Sequence, residues 1–218
     1  MNDNIKKCEK FDDFKITFIP EDINIDPLLE SVKKFGNIII LPSQFKDSLI
    51  LKNKEEIMKL FILLSNQIRI NNISLLYRAT RDGIESRNVF DKINNKSNLL
   101  FLYLTGNERI FGNYLKIKLE NLGKKTDQYF YDESAFVFSL NNNKIYKILN
   151  PDLAIRFYVQ KYPILTGNSS KSNGFYFDCN NIVDGGLLKN PKVYDFDKNN
   201  ELTEGKNKFN ELEIFEIN

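Results

Sequence analysis

The 218-residue chain contains no histidine. That absence removes Ser-His-Asp and Cys-His nucleophile systems, histidine proton shuttles and HExxH metal sites. Cysteine is nearly as scarce. Cys8 and Cys179 stand far apart and form no CxxC, which leaves a structural zinc site without ligands. They read as reduced thiols in a reducing compartment. Neither GxxxxGK[ST] nor GxGxxG is present, so the usual phosphate cradles are missing. No apolar run reaches the length of a membrane span, and the longest, Ile57 to Leu64, is broken by Lys59. The N-terminal MNDNIKKCEKFDDF has no apolar core of signal-peptide length. The expectation is a cytoplasmic protein, at most peripheral to an organelle membrane or held in a large assembly. Charge of one sign is also lacking: 31 basic and 29 acidic side chains give +2. That balance disfavours nucleic acid as a partner, and the chain has no polybasic or acidic tail.

Aromatic residues are plentiful, with 18 Phe and 10 Tyr, so a sizeable core can form. The length suits one domain, or one domain with an extension. Residues 1–46 read as such an extension, and 47–218 as the domain. In the extension, Phe14, Ile16 and Phe18 alternate like an edge strand, and Pro20 and Pro27 punctuate the chain after it. Asp26-Pro27 opens a short helix through Phe35 with Gly36 past its end, and Asn37 to Leu41 is a strand closed by Pro42. The asparagines, including Asn141 to Asn143, fit composition bias and loop chemistry better than a prion-like tract.

Lys54 to Ile68 carries Ile57, Leu60, Phe61, Leu64 and Ile68 on one helical stripe. Asn53 is placed to cap it, with Glu56 as the capping-box acid. Such a stripe is ordinarily core; a partner-binding groove is the minor reading. From Ile73 onward strands dominate. ISLLYRAT is strand-like, Asp82-Gly83 turns the chain, and Glu85 to Ile93 forms a short helix with Val89, Phe90 and Ile93 inward. Asn98 to Leu104 and Arg109 to Ile117 flank Thr105-Gly106-Asn107-Glu108, a hairpin signal. Ser134 to Leu140 and Lys144 to Leu149 flank the Asn triplet as a second hairpin, since Asn and Gly tolerate left-handed backbone. Phe175 to Asp178 and Glu211 to Ile217 are further strands. Gly167 to Gly174, Val183 to Lys189 and Lys198 to Lys208 read as polar loops. Sequential hairpins with few helices argue a β-rich α+β fold: two antiparallel sheets packed as a sandwich, flanked by short helices.

Four segments stand out in order: LLYRATRDG (Leu75 to Gly83), ERIFGNY (Glu108 to Tyr114), SAFVFSL (Ser134 to Leu140) and ELEIFEIN (Glu211 to Asn218). Together with DSLIL, FDKINNKSNLLFLYL and KIYKILNPDLAI, the set resembles the TLDc domain, the C-terminal module of the oxidation-resistance proteins. The likeness runs over roughly Asp47 to Asn218. It implies the same sandwich, with EIFEI as a central closing strand whose truncation is costly. The chain departs from the family pattern in its loops. It lacks the tryptophan often found after RIFGNY, its YPILTGNSSKSNGFYFDCNN is a loosened version of the glycine-rich loop, and IVDGGLLKNP replaces a Ser-containing loop. Because loops carry partner contacts, partner identity is where the chain diverges most.

The resemblance implies a non-enzymatic protein-interaction module. TLDc proteins are associated with oxidative-stress resistance and with binding the vacuolar proton-pumping ATPase, where they modulate assembly of its peripheral and membrane sectors. A related reading makes the domain a structural subunit of a cytoskeletal or organellar assembly, with the extension adding a strand to a neighbour. No catalytic residue, cofactor or metal ligand is assigned. The candidates for a partner-binding or structural turn are Arg78, Arg81, Asp82 and Gly83. Gly83 suits a positive φ. Arg81 and Asp82 pair with neighbours, cap the Glu85 helix, or bind a partner. Arg78 is a candidate buried ion-pair residue, with an acid such as Asp132 or Glu133 opposite. An enzyme would need carboxylates or a thiol. Asp132 and Glu133 beside Ser134 read as a solvated turn. Cys179 is the candidate redox thiol, although Asp178 beside it raises its pKa. Asp195 and Asp197 lack EF-hand calcium spacing.

Overall fold

Every residue of the strand Leu99–Thr105 is buried. A strand of that kind needs cover on both faces, and its neighbours supply it. The computed structural model describes residues 45–158, 164–169, 172–177, 193–196, 202–204 and 208–218. In chain order these form α1 (Lys54–Ser65), β1 (Ile73–Arg78), α2 (Ala79–Asp82), α3 (Ser86–Ile93), β2 (Leu99–Thr105), β3 (Ile110–Leu115) and β4 (Asp127–Phe130). Beyond β4 come β5 (Phe136–Ser139), β6 (Lys144–Lys147), a 3-10 turn (Pro151–Leu153), β7 (Ile155–Tyr158), β8 (Ile164–Ser169), β9 (Ser172–Phe177) and β10 (Phe209–Ile217).

Two antiparallel sheets result, ordered β1-β10-β2-β3-β5-β6 and β4-β7-β8-β9. The sandwich and its short helices are as the sequence pattern implied. Strand alternation then sorts the larger sheet's side chains. Leu99, Phe101 and Tyr103 join a core with Ile155 and Phe157 of the smaller sheet and Val89, Phe90 and Ile93 of α3. Leu100, Leu102 and Leu104 face the other way, onto Ile57, Leu60, Phe61 and Leu64 of α1 and onto Phe45 and Ile50. The central sheet is therefore covered by a sheet and α3 on one side and by α1 on the other. Burying a side chain of this size stabilises by about 1.5–3 kcal/mol.

The C-terminal strand β10 lies between β1 and β2, so the chain's last element is an interior strand, second from the edge rather than central. Its register sets Arg78 opposite Glu213 and Phe101 opposite Ile214.

Local chemistry departs from expectation in instructive ways. α1 stops at Ser65, and Ile68 lies beyond it, half-buried against the same core. Asn53 Oδ1 accepts from Glu56 N–H at 2.9 Å, but Glu56 Oε2 accepts from Lys52 N–H, one residue before the cap. The box is thus offset by one residue. Asn53→Ala is expected to lower stability by about 1 kcal/mol in urea denaturation; no change would show that the cap is redundant here.

In the β2–β3 turn the left-handed residue is Glu108 (φ 60), not Gly106 or Asn107. Thr105 dictates this by accepting from Glu108 N–H through its carbonyl and from Arg109 N–H through Oγ1. In the β5–β6 turn Asn143 (φ 50) takes that role, as its type allows. The stretch Gly167 to Gly174, read from sequence as a polar loop, instead carries the ends of β8 and β9, which pair as far as Ser169 and Ser172. Composition hid this hairpin, because Ser and Asn suit loops while a sheet edge accepts them equally. The expected elements within residues 1–44 lie outside the described residues.

Candidate functional site

The Arg-Asp-Gly segment sits where β1, the edge strand of the larger sheet, gives way to α2. The strand ends at Arg78, two residues earlier than ISLLYRAT suggested, and Ala79–Asp82 is one helical turn. Gly83 terminates that turn with φ 90. The positive φ is what favours glycine; a Cβ would lie 2.3 Å from Asn88 Nδ2, the end of a side chain that can turn aside. Tyr77 Oη donates to the Gly83 carbonyl at 2.7 Å and ties the turn to the core.

Arg81 and Asp82 pair with each other, at 2.7 Å between Nη2 and Oδ2. Neither is the N-cap of α3, which is Glu85, and the Glu85 side chain makes no capping hydrogen bond. Arg81 and Asp82 close backbone groups of β1 instead. Asp82 Oδ2 accepts from Arg78 N–H at 2.8 Å, and Arg81 Nη2 donates to the Leu76 carbonyl at 3.2 Å. The Arg81 hydrogen bond holds the Asp82 carboxyl below its ordinary value, and the Arg78 N–H adds to this. A carboxyl lowered by folding contributes stability above its unfolded pKa and loses it as pH falls through the folded one. Asp82→Asn should therefore flatten the acid limb of a plot of melting temperature against pH. An unchanged acid limb would mean that Asp82 carries none of the acid sensitivity.

Arg78 points back into the molecule. Its partner is Glu213, at 2.8 Å from Nε to Oε1, and not Asp132 or Glu133. The correction follows from register: β10 pairs with β1 and puts Glu213 directly across from Arg78. Glu213 is fully buried and also accepts from Leu49 N–H at 2.8 Å and from Ser48 Oγ. Ser48 Oγ in turn accepts from Leu51 N–H at 3.0 Å. The second acid of the strand, Glu211, is buried as well and accepts from Thr80 N–H and Thr80 Oγ1. Two glutamates thus bind the 45–51 segment, β1, α2 and β10 into one corner. Neither was singled out from sequence. Their signal is the placement of acids at alternate positions of an otherwise apolar strand, ELEIFEI, opposite a strand carrying an arginine.

Asp132 is buried rather than solvated, which corrects that part of the reading, while Glu133 and Ser134 are exposed in a turn as expected. Asp132 Oδ2 accepts from Lys116 and Ile117 N–H at 2.6 and 3.0 Å, and Oδ1 accepts from Ser134 N–H at 2.9 Å. It staples the β3 exit to the β5 entry. Burial, with the Asp132 charge adding, pushes the Tyr114 phenol up to about 12. Asp195 Oδ1 accepts from Lys147 N–H, another backbone staple. Cys8, Cys179 and Asp197 lie outside the described residues. Among the described residues no group of three acids or thiols could hold a metal, and no helix is long and apolar enough to cross a membrane.

Beside this corner runs an open groove of about 550 Å³, lined by Lys46, Asp47, Ser74, Leu75, Arg78 and Arg81 among others. Its walls are Lys46 and Asp47 of the segment that feeds Glu213, residues of β1, and Phe215 of β10. A model of the TLDc domain matches residues 45–218. The chain belongs to the TLDc family. No curated protein sequence matches it. The matched TLDc region begins at Phe45, whose ring packs on Phe215 of β10 at 5.2 Å between centroids. It thus includes the segment whose Ser48 and Leu49 donate to Glu213. In this TLDc domain the first described segment and the last strand meet at the Arg-Asp-Gly turn.

Proposed function

We propose that this chain is a non-enzymatic protein-interaction module of the TLDc type that binds the vacuolar proton-pumping ATPase and modulates assembly of its sectors. A contribution to oxidative-stress resistance is the accompanying role. The observation that carries the reading is the TLDc match over residues 45–218. The geometry supports it. The polar groups drawn together at the β1–β10 corner hold backbone donors and one another, and what this corner offers to solvent is an open groove. Such a surface suits a macromolecular partner better than a small substrate, for which a deep pocket with convergent groups is the rule. The domain would act in the cytoplasm, at the surface of the organelle that holds the pump.

The test is affinity purification of the tagged full chain from its own cells at near-physiological salt, with mass spectrometry of the retained proteins. Recovery of pump subunits supports the reading. Recovery of a different stable assembly keeps the interaction class and rejects the pump. A clean monomer rejects both.

A further inference from the structure

We propose that the outer edge of β1 is a docking slot for an extended, acid-bearing segment of a partner protein. The proposal rests on the interaction-module reading and names where that contact is made. β1 is the last strand of its sheet, and among the described residues none pairs with its outer side. In an antiparallel ladder, residues alternate between turning both backbone polar groups toward the partner strand and turning both away. Asn72 exchanges both bonds with Asn218, and Ser74, opposite Glu216, keeps that parity. The backbone groups of Ile73 and Leu75 therefore face outward.

Side chains of the domain close the two ends of this edge. Asn72 Oδ1 accepts from Ile73 N–H at 2.9 Å. At the other end the Arg81–Asp82 pair takes the Leu76 carbonyl and the Arg78 N–H. Between them the Ile73 carbonyl and both polar groups of Leu75 face outward by this parity, and both residues line the groove. Native edges are ordinarily blunted along their length. Here the ends are blunted and the middle is open, which is the arrangement that strand addition uses.

Charge names the occupant. The groove is lined by the cations Lys46, Arg78 and Arg81 against one carboxylate, Asp47. Glu213 and Asp82, the partners of the two arginines, do not line it. Arg78 Nη2 is enclosed and the residue is mostly buried, so the cations this wall exposes are Lys46 and Arg81. An incoming strand with a carboxylate side chain complements this wall, while its backbone pairs with Leu75.

The test uses the full chain and a short blocked peptide of alternating valine and glutamate. Fluorescence anisotropy gives affinity and assigned amide spectra give the location. The expected result is saturable binding that shifts the Leu75 amide. Binding should weaken by about tenfold or more when the peptide is N-methylated along one edge, when lysine replaces its glutamates, or in Lys46→Glu. Lys46 is exposed, so that variant keeps the fold. Equal binding of the N-methylated peptide, or shifts confined elsewhere, would overturn the proposal. So would a slowly exchanging Leu75 amide without peptide, in a monomer because the chain's own residues fill the slot, or in a dimer because a second copy does. Docking at Leu75 with no pump subunits recovered from cells keeps the slot and rejects the pump. Pump recovery undiminished by Lys46→Glu, with no shift at Leu75, rejects the slot and keeps the pump.

Discussion

Glu213→Ala is expected to destabilise the domain by about 3–5 kcal/mol, the range for breaking a buried ion pair from one side. The loss has several parts. Arg78 would keep its guanidinium largely buried with no carboxylate opposite. The Leu49 N–H and the Ser48 hydroxyl would lose their acceptor, and a buried donor left unsatisfied costs about 1–3 kcal/mol. The truncation also opens a void in an interior strand of the larger sheet, between β1 and β2. Urea denaturation gives the number. A double-mutant cycle with Arg78→Ala gives the mechanism: once Glu213 is gone, removing Arg78 should cost less than it does in the parent. Strict additivity, or a loss under about 1 kcal/mol, would show that the corner does not depend on the pair.

Gly112→Ala should be at least as severe. Gly112 lies in β3, between β2 and β5, opposite Leu102 and Phe138. A Cβ there would stand 2.0 Å from the Phe101 carbonyl oxygen and 2.4 Å from Cζ of Phe138. The ring could swing only into a filled core. The carbonyl belongs to β2, a fully buried strand that cannot retreat without breaking its own ladder. Overpacking against side chains costs about 1–3 kcal/mol, and a clash with fixed backbone exceeds that. The expected loss is about 4 kcal/mol or more, seen as insoluble expression or failure to melt cooperatively. Gly106→Ala is the control. Its added Cβ would meet nothing nearer than 3.5 Å, so stability should change by no more than about 0.5 kcal/mol. A Gly112→Ala protein that folds with near-parent stability would refute the close-approach account.

Both effects lie in the larger sheet, and they mark where sequence reading stops. The glycine in RIFGNY is visible in the sequence as a glycine inside a strand, which signals close backbone approach. What approaches, the Phe101 carbonyl and the Phe138 ring, depends on β3 lying between β2 and β5. Arg78 was legible as a buried cation because it sits between Tyr77 and Ala79. Its anion was not, because Asp132 and Glu133 were candidates on chemistry as good as that of Glu213. Only the register of β10 against β1 chooses among them.

Periodicity and turn chemistry, which are local, determined the α1 stripe, the Asn53 cap, the α3 core residues, the two hairpins and the sandwich class. Each arises from residues within a turn or a pair of strands. The order of segments determined the family. Tertiary structure decided the rest. It made Asp132 a buried staple and turned Arg81 and Asp82 onto the β1 edge rather than the α3 N-terminus. The Asp82 and Arg81 bonds reach back four and five residues and the Asp132 staple fifteen and sixteen, so what decides them is how one element folds against the next and not the identity of the side chain. A carboxylate is equally at home in water or opposite a buried donor, and its own neighbours in sequence carry no information about which it will meet.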